Sequence, residues 1–191
     1  MPSKSLLVFS LLSIATIFTF CKKETQSQPE GPFFDFLNDT QIIIDTVAQA
    51  ADTWEYGFAF TPLKSGKVSQ FEIKMPATGD YTVSLWDIAG ASPVLLRSKS
   101  LTESTAHEKT ASDVQEVSLN AGNPYGITVL ANTFYRITNP GGKSFDFPRT
   151  SGNIRIESFH EMINNTNNSE FPVDTNDMRL APCVNVIFIA D

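Results

Sequence analysis

Basic side chains are scarce in this sequence: 14 Lys and Arg face 21 Asp and Glu, for a formal net charge of −7. No stripe of Lys or Arg interrupts that balance. Nucleic acid is therefore excluded as a partner, because phosphate contacts need clustered cations. A polybasic surface for anionic lipid is missing for the same reason. Histidine is almost absent, with only His107 and His160. A Ser-His-Asp set can be drawn on nearly any chain with these residues and is recognised by geometry. No nucleophile-elbow motif adds to it, so both read as ordinary polar histidines. Cysteine occurs twice, at Cys21 and Cys183. Long apolar runs are lacking too. The longest, Leu6 to Phe20, covers about 15 residues, against the roughly 20 that a membrane span needs. It is also diluted by Ser10, Ser13, Thr16 and Thr19. A long amphipathic helix and an internal repeat complete the absences.

What is present begins at the N-terminus. Lys4, the apolar stretch and Cys21 are followed by a polar run, Lys22 to Gln28. That is the order of a secretory signal and its cleavage region. A cysteine at the junction predicts lipidation. The segment resembles the signals of bacterial lipoproteins, and Cys-Lys-Lys-Glu resembles the start of Bacteroidetes-type ones. The resemblance implies a cleaved signal peptide over 1–20 and attachment to a membrane through an acylated Cys21. It implies a cell-envelope location, at the outer membrane, with the periplasmic and surface sides both open. Phe20 stands where a lipobox usually has a small residue, so an ordinary signal and a retained anchor remain alternatives. With Cys21 acylated, Cys183 has no disulfide partner. Beside Val184, Val186 and Ile187 it reads as a small buried hydrophobe; a reactive thiol would need exposure and a cationic neighbourhood.

Residues 21–32 are polar, with Pro29, Gly31 and Pro32, and read as a tether. The domain is expected over 33–191, starting at the cluster Phe33, Phe34, Phe36 and Leu37. Its pattern is short β-type runs between turn residues. Trp54, Tyr56, Phe58 and Phe60 alternate on one side of a strand, and Val68, Phe71, Ile73 and Met75 mark a second. Tyr81, Val83 and Leu85 alternate with Thr82, Ser84 and Trp86 in a third. Further strands are expected at 93–101, 114–119, 125–130, 133–139, 153–160 and 183–189, with Gly, Pro, Asn and Asp in the gaps. The stretch 103–113 lacks an apolar stripe and reads as a loop. Nine or ten strands at this spacing predict an all-β fold, a single antiparallel β-sandwich of jelly-roll or immunoglobulin-like type.

The segment Gly79-Asp-Tyr-Thr-Val-Ser-Leu-Trp-Asp-Ile-Ala-Gly90 resembles the "G…LWD…G" strand and turn of a bacterial family known as domain of unknown function 4082. Val114–Val117, Gly126–Tyr135 with the following Pro140-Gly-Gly142, Glu170–Thr175 and Val184–Phe188 are similar to its later segments, in order. The likeness covers roughly residues 45–190. It implies a β-sandwich accessory module of extracellular bacterial proteins, often appended to carbohydrate-active enzymes, without assigned catalytic residues.

Chemistry-bearing candidates are few. Gly141-Gly-Lys-Ser144 mimics the end of a P-loop, but Ile137 stands where the first glycine belongs and no helix follows, so it reads as a turn. Asp174, Asn176 and Asp177 offer oxygen ligands that calcium accepts, with a solvated turn as the alternative; no other cofactor is expected. Sugar binding needs exposed aromatic plates beside hydrogen-bonding side chains. Trp86, opposite the Tyr81/Val83/Leu85 side of its strand, is one candidate plate and Tyr125 another, with Asn165 and Asn167 as polar partners. The expectation is a non-catalytic, lipid-anchored envelope module that binds carbohydrate or glycoconjugate. A structural or adhesion module that binds a protein partner by a sheet edge is the first alternative. A small hydrolase with paired carboxylates is the second.

Overall fold

The structure is a computed structural model and describes residues 27–37, 43–166 and 168–191. The expected signal peptide, Cys21, the first half of the tether and Asn167 lie outside the described residues. The alternation of Tyr56, Phe58 and Phe60 with Glu55, Gly57 and Ala59 builds the centre of strand β1 (Ile43–Pro62). It is followed by β2 (Gly66–Lys74), β3 (Gly79–Asp87), β4 (Val94–Glu103), β5 (Lys109–Leu119) and β6 (Tyr125–Thr138). Then come β7 (Arg149–Ser151), β8 (Ile154–Ile163), β9 (Arg179–Leu180) and β10 (Val184–Ala190).

Every strand pairing is antiparallel. Seven strands form one sheet in the order β4-β3-β6-β1-β8-β7, with β9 added beside β6, and β10-β2-β5 form the other. The two sheets are open and face each other as a β-sandwich, as the alternation predicts. Tyr56, Phe58 and Phe60 from β1, Val68, Phe71 and Ile73 from β2, and Val184, Val186 and Phe188 from β10 fill the space between them. Each of these side chains is buried, which at about 25 cal/mol per Å² of apolar surface is the main stabilising term.

One short helix, α1 (Pro32–Leu37), was not anticipated. It packs against β10, β7 and β8, so it closes the side of the sandwich where the edges of the two sheets part. Phe33 supplies the plug, its ring stacked on Phe58 at 4.5 Å and edge-on to Phe60 at 5.8 Å. Among the described residues the first to pair with a strand is Glu30, three positions before the expected domain start. Its N–H donates to Phe188 O at 2.8 Å and its carbonyl accepts from Phe188 N at 2.9 Å. Its carboxylate takes the backbone N–H of Asn153 at 2.7 Å.

The stretch 103–113 is largely strand rather than loop: β4 runs to Glu103 in the large sheet, and β5 starts at Lys109 in the small one, so the chain crosses between sheets here. Its residues pair with β2 from Lys109↔Lys74 to Asp113↔Gln70. As an edge strand with one face in water, β5 needs no continuous apolar stripe, so its sequence carried none. The runs expected at 125–130 and 133–139 merge into the single strand β6. Cys183 is fully buried, and burial pushes its thiol up to about 12, while Tyr135 N–H donates to its sulfur at 3.3 Å. It is a packing residue. Among the described residues no helix is long and apolar enough to cross a membrane.

Candidate functional site

Alternation in β3 puts Tyr81, Val83 and Leu85 in the core and turns Trp86 to the outer face of the large sheet, as expected. Trp86 is nevertheless not an exposed plate. The segment after β8 folds back over this face and Phe171 sits edge-on to the indole at 6.4 Å, leaving Trp86 5% exposed. Gly126 makes room for that ring, since a Cβ there would fall on Phe171. Beneath lies a polar chain: Trp86 Nε1–H donates to Thr128 Oγ1 at 2.9 Å, and that hydroxyl donates to Glu55 Oε1 at 2.7 Å. Glu55 Oε2 accepts from Asn164 Nδ2 at 2.9 Å and from Glu170 N at 2.6 Å.

Glu55 is fully buried, and burial pushes its carboxyl above the ordinary value; the donors from Glu170, Thr128 and Asn164 oppose that shift. Nearby, His160 is lowered by burial. Its Nδ1 is 3.0 Å from Pro172 O, which can only accept, so Nδ1 carries the proton. Its Nε2 therefore accepts from Ser158 Oγ at 2.8 Å. A carbonyl stands where a catalytic triad would have an acid. The outer face is thus a fastened cover rather than a cleft.

The expected ligand residues that the structure describes do not meet. Tyr125 is 3% exposed, its hydroxyl accepting from Asn120 N at 3.0 Å and its ring 6.1 Å from Phe60, so it too is enclosed. Asn165 is exposed but engaged, accepting from Thr53 N and donating to Asp52 Oδ1, each at 3.0 Å. Asn176 Oδ1 accepts from Met178 N and Arg179 N, which closes the 176–179 turn on itself. Asp174 and Asp177 are exposed. Among the described residues no three His, Cys, Asp or Glu side chains converge as metal ligands.

A different place brings two arginines together. Where β6 ends, β9 pairs with it in the register Ile137↔Leu180 and Thr138↔Arg179. Ile137 and Leu180 point inward and are buried. Their neighbours Arg136, Thr138 and Arg179 consequently share the opposite face. The 139–142 turn rises beside them with Gly141 and Gly142 both left-handed (φ 74° and 66°) and nothing within 4 Å of where a Cβ would stand. Together with Met178 these residues line an open groove of about 550 Å³.

The groove's two cations differ. Arg179 is positioned from behind: its Nε and Nη2 donate to Glu161 Oε1 at 3.2 and 2.8 Å, and its guanidinium lies 6.0 Å from the ring centre of Trp54. Arg136 is exposed, and among the described residues none hydrogen-bonds or ion-pairs with its guanidinium. Sequence reasoning missed both, because a two-residue strand such as β9 has no periodicity to read. The signal that existed was Arg136 alternating with Ile137 at the end of a strand that borders a Gly-Gly turn. No family model matches the chain, and no curated protein matches it.

Proposed function

We propose that this protein is a non-catalytic, lipid-anchored module of a bacterial cell envelope, held at the outer membrane by Cys21, and that it binds carbohydrate or glycoconjugate. The order of Lys4, Leu6–Phe20, Cys21 and the polar run after it supports the anchor. The likeness of Gly79–Gly90 and the later segments to domain of unknown function 4082 supports an accessory binding role. The observation that carries the binding reading is the groove at the end of β6. Guanidinium and amide donors lie there beside the apolar walls of Met178 and Pro140, next to two glycines that let a flat ring approach the backbone. That is the mixture of polar and apolar contact a sugar needs.

The test is a glycan array with the full chain, where saturable binding to a defined set of saccharides is expected. An array with no positive glycan, together with capture of one envelope protein at micromolar affinity, would replace this reading with the adhesion one. The second reading has its own observation: β4 is the outer strand of the large sheet, and Val94 and Leu95 on it are 59% and 47% exposed. Free strand edges of this kind accept an added strand from a partner. For the anchor, metabolic labelling with a radioactive fatty acid in a bacterial host is expected to mark the wild type and not Cys21→Ser. Equal label on both would remove Cys21 from the account.

A further inference from the structure

We infer that the groove at the end of β6 selects saccharides that carry a carboxylate, such as polymers of uronic acid, and that Arg136 is the residue that reads the charge. The inference rests on the carbohydrate reading above and narrows it to a substrate class.

Charge distribution is the starting point. The chain carries −7 overall, yet among the described residues no carboxylate lines this groove, while Arg136 and Arg179 both do. The register of β6 and β9 sets them on one face, Arg179 across from Thr138 and Arg136 two residues back along β6. Diagonal neighbours in an antiparallel pair have backbones about 7–8 Å apart, a span that two guanidinium groups bridge around one carboxylate. Arg179 is pre-oriented: Glu161 holds its Nε and Nη2, its guanidinium carbon lies over the Trp54 ring, and Nη1 makes no hydrogen bond to a described residue. Glu161 offsets much of that charge. Arg136 has no such partner among the described residues, so the net positive charge that they give the groove is its own.

The surroundings fit a ring with an attached acid. Met178 is 48% exposed and offers an apolar wall, although Ser144 Oγ, 3.3 Å from its sulfur, holds it in place. Asn139 donates its Nδ2 to Ser144 O at 2.8 Å, and no described residue donates to its Oδ1, which can accept from a hydroxyl. A phosphate would be served by a helix N-terminus or a nest of N–H groups. Here Gly142 N already donates to Asn139 O, and no helix follows. Two guanidinium forks without such a nest can pair bidentately with a planar carboxylate.

The deciding experiment is affinity electrophoresis of the full chain through gels that contain polygalacturonate, the same polymer with its carboxyls reduced to alcohols, or neutral xylan. A protein of net charge −7 is repelled by a polyanion as a whole, so retardation by polygalacturonate cannot come from bulk attraction. The expected result is retardation by polygalacturonate alone, weakened about tenfold or more in Arg136→Ala and partly restored in Arg136→Lys. Arg136→Ala removes an exposed side chain with no partner among the described residues, so its thermal unfolding should match wild type and the loss cannot be charged to misfolding. Equal retardation by polygalacturonate, its reduced form and xylan, indifferent to Arg136→Ala, would keep the carbohydrate reading and overturn the selectivity. Binding of a short Asp-rich peptide but of no polysaccharide, lost in Arg136→Ala, would overturn both. So would an absence of retardation in every gel.

Discussion

Glu55→Ala is expected to lower the unfolding free energy by about 2–4 kcal/mol, whereas Glu55→Gln costs about 1 kcal/mol or less. The reason lies in what each change leaves behind. Glu55 is fully buried and takes hydrogen bonds from Thr128, Asn164 and Glu170 N. Alanine leaves Glu170 N facing an empty space. It also frees the Asn164 amide from one of two acceptors, the other being Asn168 O. Glutamine keeps an oxygen for Asn164 and Glu170. Its amide can donate to Thr128 Oγ1, whose own proton can turn toward Ser84 O, 3.5 Å away. The same chain of bonds fastens the segment that carries Phe171, so Glu55→Ala should also uncover Trp86. Chemical denaturation gives the energies, and tryptophan emission gives the exposure. Equal stability of the Ala and Gln variants would mean that the buried polar chain contributes nothing.

The pH dependence of this network has a definite sign. Glu55 is raised above 4.5 in the folded protein, so between 4.5 and its folded value the folded state holds a proton that the unfolded state has lost. Its contribution to stability is complete below about pH 4.5 and is lost as pH rises through the folded value. His160 is lowered below 6.5, so the unfolded state takes up its proton first. Stability from that group is present above about pH 6.5 and is lost as pH falls toward the folded value. The two trends oppose each other in the wild type. Glu55→Gln removes only the first, so wild type should gain stability relative to this variant on acidification. A difference that stays constant from about pH 4 to pH 7 would contradict the burial of an ionisable Glu55.

Legibility differed by element for physical reasons. The core face of β1 was open to reading because Tyr56, Phe58 and Phe60 alternate without interruption. The outward turn of Trp86 was equally readable from Tyr81, Val83 and Leu85. Its cover was not, since Phe171 reaches it from a distant, irregular segment whose polar sequence looks like solvent-exposed loop. One trace was available: Gly126 interrupts an otherwise bulky strand, which marks close approach of another group. Helix α1 also left a trace, with Pro32 at its first position and Phe33 and Phe36 on one face, but six residues are too few for a periodic stripe. The arginine groove depended on the pairing of β9 with β6, a long-range contact made by two residues. Pattern within the sequence could not place Arg179 opposite Thr138; only the register could.

Gly57→Ala carries the largest expected effect, a loss of about 4 kcal/mol or more, enough to leave little folded protein given the usual 5–15 kcal/mol of total stability. Gly57 sits in the middle strand, with Thr128 across from it on β6 and His160 across from it on β8. A Cβ at this position would fall on the carbonyl oxygen of Ile127, an atom of the backbone ladder itself. Because β1 is paired on both sides, moving away from β6 would press it into β8. Two other glycines show what relief looks like. At Gly126 the three atoms nearest the added one all belong to the Phe171 ring, a side chain and not backbone, so Gly126→Ala should cost about 1–3 kcal/mol. At Gly90 the nearest atom is Ser92 O at 3.7 Å, and Gly90→Ala should change stability by about 0.5 kcal/mol or less. Soluble yield and thermal unfolding should rank the three Gly90, Gly126, Gly57 from mildest to most severe. A Gly57→Ala protein that unfolds within a few degrees of wild type would show that β1 and β6 can part here. Glu55 would then shift with its strand relative to Thr128, and the buried chain from Trp86 to Glu55 would lose the close strand packing on which its geometry depends.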